Sequence, residues 1–403
     1  MNQLELFQTK QKAKKFLKIR IPYQGSKQKI MPDLLCKMLE VKPLATSFYD
    51  LFGGGASASF GAIEHGFDKV HYNELYKPMA NFVEFIIRRV KDKTKSKFGI
   101  FPEEWYEFIS RERFVEAIAK DDVFSQFCRI VYSFGNDQRS YIFGKNIERQ
   151  KYLAHQFVMF QCKASLEEFN EMFKVSFSIS NLKTWNERRL FYKDEWNKHM
   201  KKDPVVIQIL ENGLAKNRNS IYKDTITQWK KKIQSLEQIQ NLEIIKSLKQ
   251  IEHLERIQNL ENIQNLEQIQ NLERIENLEQ IQNLENIESL EQIQNLERIQ
   301  NLERIDSLSF SNLSYENVNI TTPPKTTIIY CDIPYKGTAG YKEGKGFNYE
   351  EFYKWFKTSP YTVFFSEYNA PFEPILQIQK AKLLNNKVKV KEYTTEKLFW
   401  NGK

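Results

Sequence analysis

The sequence predicts an α/β fold on a parallel sheet, interrupted by a helical module and a repeat. Three observations predict it. The segments Phe48–Phe52 and Thr327–Cys331 are apolar runs of strand length. Strand-like and helix-like patterns alternate in residues 1–100 and again in 320–403. Between these regions the pattern changes twice, first to helical periodicity and then to twelve hexads.

Taken in order, Ile30 to Leu39 is helical, with Ile30, Leu34, Leu35, Met38 and Leu39 on one face. Phe48 to Phe52 is a strand, and Ser57 to His65 is a helix opening after glycines. Lys69 to Asn73 is a second strand. Pro78 to Val90 is a helix with proline near its first turn. This order implies a parallel sheet whose ligands sit at the carboxyl ends of the strands. Residues 101–232 read as a separate, mostly helical module. Glycine is scarce there and Lys/Arg are dense after Lys183, with Trp185, Trp196, Tyr222 and Trp229 among them. Residues 320–403 return to α/β, with a helix at Tyr349 to Phe356 and strands at Thr362 to Ser366 and Lys387 to Lys391. The expected division is 1–100 and 320–403 for the sheet domain, 101–232 for the helical module and 233–313 for the repeat.

The hexads, residues 235–306, follow Asn/Ser-Leu-Glu-x-Ile-x, so an apolar residue returns every third position. Three helical residues turn about 300°, and a long helix would carry this stripe around its axis. A stacked solenoid is the first expectation. A helical rod and a disordered segment are the alternatives, since tight coil corners often use glycine and the hexads have none.

The bulk composition limits the classes. The chain has 403 residues, 41% hydrophobic, with 30 Phe, which suits two or three packed domains. The formal net charge is +9, but the hexads hold 15 acidic against 6 basic residues, so the remainder carries +18. A basic body fits a phosphate-backbone partner. No two of Cys36, Cys128, Cys162 and Cys331 have zinc-ligand spacing, and no metal is expected. Their sparseness fits a reducing interior. Met1 to Arg20 is polar and Lys-rich, and no run of about 18 apolar residues follows. A cytoplasmic protein without a membrane partner is expected.

Four segments carry candidate chemistry. Asp50-Leu51-Phe52-Gly53-Gly54-Gly55 ends a strand in a turn that lets backbone amides approach a ligand at a helix start. Glu74 ends the next strand, 22 residues after Phe52, where an acid commonly binds the ribose of a nucleoside cofactor. Pro22-Tyr23-Gln24-Gly25-Ser26-Lys27 offers an aromatic, a turn and a cation before the first helix. Asp332-Ile333-Pro334-Tyr335 follows Thr327–Cys331. An acid, a proline and an aromatic at a strand end can hold a flat, amino-bearing base. A carboxylate and a backbone carbonyl accepting both N–H bonds would favour a more nucleophilic, pyramidal nitrogen. A type I turn bent by Pro334 is the purely structural alternative.

In content and order these segments resemble the Dam-like (D12) class of DNA N6-adenine methyltransferases, which use S-adenosylmethionine. The resemblance covers about 1–150 and 320–403 and omits the hexads. It implies a Rossmann-like methyltransferase sheet carrying an inserted recognition domain, double-stranded DNA as partner, and in some systems a cognate restriction endonuclease. It further implies that Tyr23 and Lys27 help hold the cofactor. Asp50, Phe52, Gly53, Gly54 and Gly55 would surround its methionine part, and Glu74 would bind its ribose. Asp332, with its strand end also beside the cofactor, would act with Ile333, Pro334 and Tyr335 on the target base. Ile333 departs from the usual proline, but the contact implied there is a backbone carbonyl. Ala56 stands where a further glycine is common. The stretch 132–145 resembles the class's DNA-facing loop, with Phe134, Asn136 and Arg139 as candidate contacts; Arg188 and Arg189 are candidates in the basic module. The stretch 366–371 is a candidate wall of the base pocket. Transfer to cytosine's amino group is one alternative, although that class usually opens its tetrapeptide with serine. A DNA-binding or assembly protein with an inactive methyltransferase fold is another.

Overall fold

Seven strands form one mixed sheet in the computed structural model, which describes residues 21–22, 26–145, 147–197, 287–336, 346–381 and 393–403. In chain order, helix α1 (Met31–Val41) precedes strand β1 (Ser47–Asp50), helix α2 (Ser57–His65), strand β2 (Lys69–Asn73) and helix α3 (Lys77–Lys91). Helices α4 (Arg111–Ile118), α5 (Val123–Val131), α6 (Glu148–Phe160), α7 (Lys163–Phe173) and α8 (Trp185–Glu195) follow. Then come α9 (Glu288–Glu297), β3 (Leu308–Ser311), β4 (Thr327–Cys331), α10 (Tyr349–Thr358), β5 (Thr362–Glu367), β6 (Pro374–Ala381) and β7 (Tyr393–Trp400).

The strand order is β3-β2-β1-β4-β5-β7-β6. Strands β1, β4 and β5 are buried at every position, as apolar strands covered on both faces must be. They pair in parallel, with Asp50 opposite Tyr330 and Tyr330 opposite Phe364. The expectation of a parallel sheet holds from β3 to β5. It fails at the far edge, where β7 runs antiparallel to both β5 and β6. That edge and β3 were not legible in the sequence: β3 is only four residues long, and β6 and β7 mix polar and apolar residues without a clear period. The expected strand at Lys387–Lys391 lies outside the described residues. The chain reverses its winding between β1 and β4, and in open α/β sheets the ligand crevice lies at such a switch point, at the carboxyl ends of the strands.

The chain divides into two compact units, Met1–Ile142, Glu288–Leu383 and Val390–Lys403 in one, Phe143–Ile287 and Leu384–Lys389 in the other. Helices α4 and α5, expected with the helical module, thus belong to the sheet unit. In the second unit α6, α7 and α8 enclose Phe157, Phe169, Phe173, Tyr192 and Trp196. Trp196 is fully buried, so it is a core residue rather than a platform for a base. Tyr222 and Trp229 lie outside the described residues.

The last three hexads also belong to the sheet unit, and they form no solenoid coil. Leu290, Ile293, Leu296, Ile299, Leu302 and Ile305 are all buried, although they lie three residues apart. Two features reconcile that spacing with a helix. Helix α9 is short, so the stripe drifts only about 120° between Leu290 and Leu296. The chain then tightens into a 3₁₀ turn at Arg298–Asn301, where residues three apart eclipse. Polar contacts set the six-residue register. The Glu297 carboxylate accepts the Ile100 amide at 3.0 and 3.1 Å and the Tyr106 hydroxyl. A side chain at Gly99 would stand 2.3 Å from Glu297 Oε1, so glycine is required there. Gln300 accepts from Lys95 Nζ at 2.8 Å, and Arg304 donates to Gly66 O and Asp68 Oδ1, each at 2.9 Å.

This anchoring makes hexads interchangeable. Deleting 301–306 would bring Arg298 to the place of Arg304 and Glu291 to that of Glu297, with every Leu and Ile kept in order. Its thermal midpoint is expected within ~3 °C of the parent. Deleting only 301–303 keeps the apolar spacing but exchanges Leu with Ile throughout and brings Gln294 to the place of Glu297. Calorimetry should show a loss of more than ~5 °C for that protein.

Candidate active site at the strand ends

The crevice is built first from its glycine turn. After β1 the chain bends back so that the Gly53 amide donates to Asn73 O at 2.8 Å. This brings Gly53 against the Tyr72 ring, where a Cβ would lie 2.2 Å from Cε2. Tyr72 in turn donates its hydroxyl to Gly54 O at 2.8 Å. Glu74 closes the turn from the other side: its Oε2 accepts the Gly54 amide at 2.7 Å and its Oε1 the Tyr76 amide at 2.8 Å. The acid expected to meet a ribose therefore also ties the glycine turn to the start of α3. Ala56 adopts a left-handed conformation (φ 58°) and is fully buried, which shows that the turn accepts a methyl group there.

Asn73, unnoticed in the sequence, joins three strand ends. Its amide donates to Leu51 O at 3.0 Å and Leu313 O at 2.9 Å, while its Oδ1 accepts from Ser311 Oγ and the Leu313 amide. Asp50 is buried at the end of β1. Its Oδ2 accepts from the Ser59 amide and hydroxyl at 3.2 and 2.8 Å, and its Oδ1 has no hydrogen-bond partner. Burial, reinforced by Asp332 and Glu74 and opposed by the Ser59 bonds, pushes the carboxyl up to about 7.

Across the crevice, β4 delivers Asp332 into a charge cluster. Lys27 Nζ lies 2.8 Å from Asp332 Oδ1 and 3.6 Å from Glu396 Oε1. The Asp332 contact is ionic; Oδ1 takes no aligned hydrogen bond. Lys27 and Glu396 are both almost fully buried, whereas the Asp332 side chain is 24% exposed. Burial alone would lower the Lys27 ammonium, but Asp332 and Glu396 together raise it. Burial pushes Glu396 up to about 7, with Lys27 opposing and Asp332 assisting. The Tyr335 hydroxyl donates to Glu396 Oε1. Its ring lies 4.6 Å from Lys27 Nζ and 4.6 Å, edge to face, from the Tyr368 ring.

The rest of the tetrapeptide is fixed from below. The Ile333 side chain packs in the core with Tyr49, Cys331 and Phe365. Pro334 O accepts from Tyr349 at 2.8 Å. Glu367, at the end of β5, accepts the amides of Lys336 at 2.9 Å and Tyr368 at 2.6 Å, so it holds both the tetrapeptide exit and the 366–371 stretch. Phe52 packs on Tyr315, Phe347 and Phe352.

The structure thus gathers Lys27, Asp50, Phe52, Gly53, Gly54, Gly55, Glu74 and Asp332–Tyr335 at adjoining strand ends of one unit. Tyr23 lies outside the described residues. The loop after α5 is a separate feature. Ser133 and Tyr141 bridge its base, and Asp137 Oδ1 accepts the Arg139 and Ser140 amides at 2.9 Å. Phe134 and Arg139 are exposed, and Asn136 is half-buried in a left-handed conformation. Arg188 and Arg189 depart from the expectation of phosphate contacts. The Arg188 guanidinium donates to four backbone carbonyls, those of Val158, Met159, Leu182 and Lys183. Arg189 is buried and bonds Asn186. Arg188 ties α8 to the end of α6, whereas the Arg189 bonds to Asn186 stay within α8; a buried guanidinium must satisfy its donors locally.

Glu396 and Glu367 join the candidate site through the fold alone. Glu396 has a faint sequence signal, an acid just before the apolar run Leu398-Phe399-Trp400. Among the described residues no cluster of His, Cys, Asp and Glu could hold a metal, and no helix is long and apolar enough to cross a membrane. No protein-family model matches the chain, and no curated protein matches it.

Asp50 makes stability depend on pH. Its carboxyl ionises near 7 when folded and near 3.9 when unfolded, so between these values the folded state binds more protons. Its contribution is therefore lost as pH rises through this window. Asp50→Asn is expected to melt close to the parent at pH 5 and above it at pH 8, as read by calorimetry without ligand.

Proposed function

We propose that the chain is a DNA methyltransferase that transfers a methyl group from S-adenosylmethionine to the N6 amino group of adenine. One observation carries this reading: a glycine turn with two acids, Asp50 and Glu74, and an Asp-Ile-Pro-Tyr strand end flank a single topological switch point. The donor side suits a nucleoside with a cationic tail. Gly53 and Gly54 bring backbone close to the crevice, and the buried, unpartnered Asp50 Oδ1 is an acceptor for a positively charged group. Asp50, Phe52, Gly53 to Gly55 and Glu74 would hold the cofactor, with Lys27 and Tyr23 at its margin. When bound, it supplies an electrophilic methyl group on a sulfonium.

The chain's own residues do the remainder. The adenine amino nitrogen is a poor nucleophile because its lone pair is delocalised into the ring. Asp332 accepts one of its N–H bonds and the Ile333 backbone carbonyl the other, which favours a pyramidal nitrogen. Isoleucine serves here because its side chain packs into the core and the contact belongs to the main chain. Tyr335 stacks on the base. Catalysis would consist of orientation and in-line approach: the N–C bond would form as the methyl–sulfur bond breaks, the neutral thioether would leave, and the surplus N–H proton would pass to solvent, with no covalent enzyme intermediate. Stacked adenine hides this amino group from a pocket, so the base is extruded from the duplex. The excess positive charge outside the hexads supplies affinity for phosphates without sequence information. Phe134 and Arg139 are the exposed candidates of the DNA-facing loop.

Asp332→Ala is expected to abolish incorporation of labelled methyl groups into bulk DNA while the circular dichroism spectrum is unchanged. Mass spectrometry of nucleosides from the wild-type reaction should show N6-methyladenine. Methylated cytosine instead would reassign the acceptor, and full activity of Asp332→Ala would overturn the mechanism.

A further inference from the structure

Glu396 lies on β7, far in sequence from every segment that suggested the function. It nevertheless stands beside Lys27, at the margin of the proposed cofactor site, and Tyr335 of the tetrapeptide. Its Oε1 is 3.6 Å from Lys27 Nζ and accepts the Tyr335 hydroxyl. Lys27 is only 4% exposed and Glu396 only 1%, so the ammonium and this carboxylate are sealed together. Asp332 is the outermost of the three charges, its side chain 24% exposed.

This gradient of burial matters for catalysis. A buried ammonium must keep a carboxylate beside it, since leaving it alone would force deprotonation or unfolding. Were Asp332 to carry that duty without Glu396, turning its carboxylate toward a substrate N–H would expose the ammonium to an uncompensated site. With Glu396 behind it, Lys27 retains a counter-ion whatever Asp332 does. Tyr335, tied to the same carboxylate, keeps its ring in place while this happens.

We propose that Glu396 is a positioning residue: the standing counter-ion of Lys27 and the anchor of Tyr335, which together free Asp332 to accept the amino group of the target base. The inference rests on the methyltransferase reading. It assigns a role to the antiparallel edge hairpin, which completes the base-binding side from beyond β5.

The test uses the full chain, labelled S-adenosylmethionine and bulk double-stranded DNA under single-turnover conditions. Glu396→Gln keeps the shape and an acceptor for Tyr335 but removes the charge. It should bind S-adenosylmethionine within ~2-fold of wild type by calorimetry while transferring methyl groups at least ~20-fold more slowly. In a Lys27→Met background the same substitution should add little further loss, because the charge it balances is gone. Transfer by Glu396→Gln at the wild-type rate, or equal losses in both backgrounds, would overturn the inference. Should Glu396→Gln not fold, Glu396→Asp keeps the charge but shortens its reach. A slower rate at unchanged cofactor affinity then supports the role, and an unchanged rate refutes it. Absence of methyl transfer by the wild type is a different result, which removes the functional reading itself.

Discussion

A single buried ammonium governs the geometry of this crevice. Lys27 arrives from the segment before α1, and its charge is met by Asp332 from the end of β4 and Glu396 from β7. Removing one partner from a buried ion pair typically costs about 3–5 kcal/mol, because the remaining charge is left uncompensated. The cluster therefore does more than attract. It requires three distant stretches of chain to be in place at once, and it sets Asp332 and Tyr335 at fixed positions relative to one another. Because Lys27 O also accepts the Ile30 and Met31 amides, the same residue begins α1.

The opposite wall follows a different logic. There the turn after β1 is set by shape and by neutral hydrogen bonds. Tyr72 leaves no room for a side chain at Gly53, Glu74 binds the Gly54 amide, and Asn73 joins the ends of β1 and β2 to the segment after β3. Asp50 is the exception, a carboxylate buried with one oxygen unpartnered. Placing an unsatisfied acid here costs stability, and such costs recur where a site is preorganised for a charged ligand.

The hexads show how one repeat can serve a globular core. Their three-residue apolar period suits a long regular helix poorly, yet Leu290 to Ile305 are buried by a short α-helix that tightens into 3₁₀ turns. Glu297 and Arg304 then set the six-residue register against the Ile100 and Gly66 loops. The apolar period and the polar period are thus read by different parts of the structure.

Much of this was written in the linear chain. The runs 48–52 and 327–331 supply central strands because a mostly apolar stretch is best buried on both faces, and Gly53 and Asp332 fall just beyond their ends as the α/β pattern requires. Glu74 was legible because it ends the next strand. Local sequence alone determined these elements, their parallel order and the residue types at the switch point. Tertiary structure decided which charges meet at the strand ends and which are consumed by backbone carbonyls. Arg188 and Arg189, basic among aromatics, turn inward to satisfy backbone carbonyls and an asparagine, while the unremarked Glu396 turns inward to meet Lys27. The physical reason is that a charge acquires its role from its desolvation and its partners. For Lys27 and Glu396 both depend on segments hundreds of residues apart, and no local pattern encodes them.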